Sequence, residues 1–145
     1  MLSITEIETV FQSGNRQQIE MMARNILVHG RSHGQMHELS RHAKKFSRLL
    51  ATTNPADRDY LALVYILAQH LTDIWHGACA CSIVYQPMFN SPDRLTGILE
   101  IIEEEFDLVN YANKVHSKCL NCGKEYESVM MESGFGQKVV WKEMR

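Results

Sequence analysis

The chain has 145 residues and a formal charge of -2, a size that suits one hydrophobic core. With 45% hydrophobic and 22% charged residues, its composition excludes disorder over most of the length, which needs few apolar groups and a large net charge. The charge is unevenly spread: +3 over residues 1–50, -7 over 51–113 and +2 over 114–145.

No apolar run approaches the ~18 residues of a membrane span. The start, Met1-Leu2-Ser3-Ile4-Thr5-Glu6, lacks the basic flank and apolar stretch of a signal peptide. The expectation is a cytoplasmic protein with no membrane contact. There thiols stay reduced, and clustered cysteines point to metal or catalysis before disulfides.

Ser3 and Glu6 have capping-box spacing, and Ile4, Ile7, Val10 and Phe11 then share a helical face. Gly14 and Asn15 end that helix. A second helix places Ile19, Met22, Ala23, Ile26 and Leu27 on one side. The segment from His29 to Gly34 reads as a turn, because Gly30 and Gly34 disfavour helix. A third helix is predicted over Gln35–Leu50, with Met36, Leu39, Ala43, Phe46 and Leu50 as its stripe. Thr53-Asn54-Pro55 is a stop and restart. The fourth helix, Pro55–His76, is apolar nearly all round, including Leu61, Val64, Leu67, Leu71 and Ile74, and belongs at the centre of a bundle.

Residues 77–92 read as irregular, with Pro87 inside them. Ser91-Pro92 then looks like an N-cap with proline at the first helical position. Leu95, Ile98, Leu99, Ile102, Phe106 and Val109 fit one face of a fifth helix ending near His116. The tail, Glu125–Met131 and Lys138–Lys142, suggests two short strands about a turn at Ser133-Gly134-Phe135-Gly136. The expected fold is therefore mainly α. It is a single domain, 1–145, made of a five-helix bundle (1–116) and a small zinc-knuckle and β-hairpin element (117–145).

Cys119-Leu120-Asn121-Cys122-Gly123 is the sharpest local signal. Two thiolates three positions apart share a metal only if the backbone curls tightly, and Gly123 permits that curl. A structural zinc takes four ligands, and Cys79 and Cys81 are the other two cysteines. His76 and His116 stand three residues before each pair and are alternates, so a Cys/His mixture stays open. So does a set of small buried thiols without metal. The 37 residues from Cys81 to Cys119 must bring the chain back to the ion, which one long helix does not do alone. Such an ion would staple the tail to the bundle. A four-thiolate zinc has no vacant position for hydrolysis.

Two histidine series offer a rival site. His29, His33 and His37 recur every four residues, and His70, Asp73 and His76 every three. Either could hold a catalytic metal, or be an exposed turn in one case and hydrogen-bonded core residues in the other. No P-loop, GxGxxG, HExxH or nucleophile motif is present. Residues 15–50 carry seven Lys+Arg against two Asp+Glu. Arg31, Arg41, Lys44, Lys45 and Arg48 could therefore face DNA from a helix-turn-helix, or simply face water. The reading is a zinc-stabilised regulatory or adaptor protein with a protein or DNA partner. Alternatives are a small metal-dependent enzyme, or an inhibitor module without nucleic-acid contact. A homo-oligomer is compatible with the acidic and basic helices.

Overall fold

In a computed structural model of the chain, the described residues are 3–13, 15–28, 32–51, 62–85, 91–133 and 136–144. Gly14, His29, Gly30, Arg31, the Thr53-Asn54-Pro55 stop, Leu61, Pro87 and Gly134-Phe135 lie outside them, as does the side chain of Leu50. The chain forms two compact units, Met1–Ala80 and Cys81–Arg145. The division expected from sequence fell instead at 116/117.

The first unit is helical: α1 (Ile4–Gln12), α2 (Arg16–Val28), α3 (His33–Ser40), α4 (Ala43–Ala51) and α5 (Ala62–Trp75). The Ser3 hydroxyl accepts from the Glu6 N–H at 3.2 Å, and Asn15 Oδ1 accepts from the Gln18 N–H at 3.1 Å. These caps satisfy donors that the first turn leaves open. α5 packs against α2, α3 and α4, as expected of the most apolar helix. Ile7, Ile26, Met36, Phe46, Leu67 and Leu71 are buried among these helices.

Two details of this unit differ from expectation. Helix begins at His33, because Ser32 and Gln35 form a reciprocal capping box that outweighs Gly34. The single helix over Gln35–Leu50 is broken at Arg41-His42. There the Arg41 and His42 N–H groups bond Glu38 and Leu39 three residues back, and the buried Ser40 hydroxyl bonds the His37 carbonyl. At the other end, Gly77 takes φ +106 and the Ala78 N–H reaches back to the Asp73 carbonyl, which terminates α5.

The second unit overturns the five-helix bundle. It is a four-stranded antiparallel meander in the order β1 (Leu99–Asp107), β2 (Ala112–Cys119), β3 (Glu125–Ser133) and β4 (Gly136–Met144). The predicted fifth helix is a β-hairpin. Leu95, Ile98 and Leu99 are buried as the helical stripe required, but Ile102, Phe106 and Val109 are exposed. A bulge between Ile101 and Glu103 interrupts the alternation, and Val109 lies in the turn beyond the strand. Before it, Leu99 and Ile101 oppose the buried Cys119 and Ser117; after it, the pairing phase has shifted. The bulge thus hides a period of two behind what looks like a period of 3.6. Asp107 then builds the turn, accepting from the N–H groups of Val109 (2.9 Å) and Asn110 (3.2 Å), while Tyr111 takes φ 49. The tail strands are present, longer than expected and continuous with this sheet.

One sheet face buries Val115, Ser117, Cys119, Tyr126 and Ser128. In two 3-10 turns, Ala80–Tyr85 and Pro92–Leu95, Ile83, Val84 and Leu95 are buried as well. The opposite face sets acidic against basic side chains, with Lys114–Glu127 at 3.7 Å and His116–Glu125 at 2.9 Å.

Candidate metal centre

The knuckle is built by β2 running out of partners. The Cys119 N–H bonds the Lys124 carbonyl at 2.8 Å, and the Gly123 N–H returns to the Cys119 carbonyl at 3.2 Å. Gly123 sits at φ +77, the left-handed conformation that this curl demands. The closed loop aims the N–H groups of Asn121 and Cys122 at Cys119 Sγ, each at 3.4 Å. Two N–H groups thus converge on one sulfur.

The hairpin solves the return path that a helix could not. β1 brings the chain back so that Leu99 opposes Cys119, and the Leu120 N–H bonds the Ile98 carbonyl at 3.0 Å. Cys81 lies buried in the first 3-10 turn, with Cys79 two residues ahead of it. The Sγ atoms of Cys79, Cys81, Cys119 and Cys122 all lie within 4.8 Å of one another. Among the described residues, this is the group of His, Cys, Asp and Glu placed to share a metal ion.

Cys81 Sγ and Cys122 Sγ are 3.6 Å apart, far beyond the ~2.05 Å of a disulfide. Four sulfurs at ~2.3 Å from a tetrahedral ion would stand about 3.8 Å apart, so the spacing suits a metal ion. Burial grades across the set: Cys81 and Cys119 are buried, Cys79 is half-buried and Cys122 is exposed. The Tyr126 hydroxyl, wholly buried, lies 3.0 Å from Cys81 Sγ. Burial, then the contact with Cys81, pushes the Tyr126 phenol up, so it stays protonated beside that sulfur. Tyr126 was not foreseen as part of the site. Its place seven residues after Cys119 carries no local signal, because the contact runs from β3 to the turn holding Cys81. His33 was foreseen only within the histidine series, yet its Nδ1 lies 3.9 Å from Cys79 Sγ.

The remaining sequence candidates lie apart from the sulfurs. His116 pairs with Glu125, and His76 is exposed just after α5. His37 is exposed on α3. His70 is fully buried in α5, and neither ring nitrogen has a hydrogen-bond partner among the described residues. Asp73 instead accepts from Gln69 at 2.9 Å. Burial, opposed by the charge of Asp73, pushes the His70 imidazolium down to about 4. Of the basic set, Arg41 meets Glu38 at 3.7 Å and Lys45 is engaged by Glu8, while Lys44 and Arg48 are exposed on α4. Arg31 is outside the described residues. No described helix is long and apolar enough to cross a membrane.

No family model, curated protein or solved structure matches the chain.

Proposed function

We propose that this is a non-catalytic interaction protein stabilised by one structural zinc held by Cys79, Cys81, Cys119 and Cys122. The observation that carries this reading is the meeting of four sulfurs within 4.8 Å, two backbone N–H groups already aimed at one of them. Soft thiolates in a tetrahedral set select zinc or iron among common intracellular metals. Four of them fill the coordination sphere and leave no place for a reacting water. Such an ion contributes folding energy, and activity then belongs to the surfaces it holds in shape. Nucleic-acid contact is not part of the reading, since Glu38 and Glu8 already engage Arg41 and Lys45.

Cobalt replacement tests the ligand set. The zinc reading expects one Co(II) per chain, with tetrahedral d–d bands and intense sulfur-to-metal absorption. A weak octahedral spectrum would sink the four-thiolate assignment. Red protein as purified would assign iron instead.

A further inference from the structure

The sheet's open face and the β1–β2 hairpin carry a surface that the metal reading does not use. Phe106, Leu108, Val109 and Tyr111 are 57%, 75%, 86% and 70% exposed within six consecutive positions. Such a concentration of bare apolar surface marks an interaction site more often than chance scatter. A groove opens beside it. Ala112, Val129 and Met131 line it, together with Phe106 and Leu108.

Its rim is acidic. Glu105, Asp107 and Glu127 line the groove, and β1 as a whole carries five carboxylates in nine residues. Lys114, the one cation in the lining, is already drawn to Glu127 at 3.7 Å. Asp107 stays ionised, because Asn110 and Val109 hydrogen-bond its carboxylate and hold it below the usual range.

From this pairing of a bare apolar groove with a carboxylate rim, we infer a docking surface for a basic, apolar-containing segment of another protein. Lysine or arginine side chains meet the rim, and alternate apolar side chains enter the groove. The charge argues against the other occupants. Phosphate backbones and anionic membranes are repelled by the rim. A second copy pairing through edge strand β1 would set five carboxylates against five, an arrangement that edge strands use to prevent self-association. The inference rests on the reading of the protein as an interaction module and not on the identity of the metal. Metal analysis and peptide binding therefore fail separately.

The test is titration of the full chain with a fluorescent peptide of alternating lysine and leucine, with oligolysine and a glutamate–leucine peptide as comparisons. Saturable binding is expected, with amide shifts confined to residues 105–114 and 127–131 in NMR spectra. Glu105→Lys with Glu127→Lys should weaken it about tenfold, and so should Phe106→Ser with Leu108→Ser. Only the first pair should reduce the salt dependence. Equal binding of oligolysine, indifference to both pairs, or shifts mapping to the helical unit would overturn the inference. So would self-association of the free chain that Phe106→Ser with Leu108→Ser abolishes.

Discussion

The two units solve the problem of burial in different ways. The helical unit fills its interior with large side chains such as Ile26, Met36, Phe46, Leu67 and Leu71, each worth roughly 1.5–3 kcal/mol when buried. The second unit also buries large side chains, Ile83, Leu95, Ile98, Leu99 and Tyr126, but mixes them with Ser117, Ser128, Cys81 and Cys119. Small polar and thiol side chains remove little apolar area from water. A unit of about this size rarely obtains more than roughly 3–5 kcal/mol from its core alone. The difference teaches that the helical interior is almost wholly apolar, whereas the second unit mixes polar and thiol groups into its interior, where the proposed metal would add bonds.

The largest expected effect separates the units outright. Cys119→Ser removes the sulfur that receives two backbone donors and, on the zinc reading, one of four ligands. It should abolish the dispersed NMR signals of residues 99–144 while leaving those of α2 and α5. Loss of both sets, or of neither, would erase the contrast between the units.

A smaller effect belongs to the helical unit and depends on pH. The folded His70 is held down to about 4 by burial, against 6.5 for the free side chain. Between those values the unfolded chain binds the extra proton, so stability is complete above 6.5 and falls as the pH drops towards 4. The loss amounts to about 3 kcal/mol. Urea unfolding followed through helix signals at several pH values measures it, and His70→Leu should flatten that slope. An unchanged slope in the variant would move the effect to another group.

Tyr126→Phe keeps the ring and deletes the hydroxyl beside Cys81. A hydrogen bond to a charged sulfur suggests a loss of about 2 kcal/mol, seen only in the sheet unit and accompanied by faster metal release to a chelator. Unaltered release would reduce Tyr126 to packing. The smallest expected effect is Ser32→Ala, which deletes half of a capping box and should cost the helical unit about 1 kcal/mol.

The same contrast governs what could be read from the residues. Helix signals are local: Ser3, Asn15, the stripe of α2 and the apolar run of α5 all act within a few positions. The start at His33 was missed although the Ser32/Gln35 capping box is local, and the break at Arg41-His42 escaped because it involves the side chain of Ser40. The sheet's signals are distant. Strand β1 pairs its carboxylates with Lys118 before the bulge at Ile101/Glu103 and with His116 and Lys114 after it. Read without them, Glu103-Glu104-Glu105 and the spacing of Leu95, Ile98 and Leu99 resemble a helix. The CxxC-Gly knuckle was legible because its geometry is local. That Cys79 and Cys81 join it was inferred from ligand number, since their approach depends on the hidden hairpin.

Hydrogen exchange with and without a chelator tests most directly whether the sheet unit is held by a metal. The full chain, purified under reducing conditions, should contain one zinc and show slow exchange in both units. After zinc removal, protection should vanish over β1–β4 and persist in α2 and α5. Full protection of the strands in metal-free protein would contradict the metal's structural role.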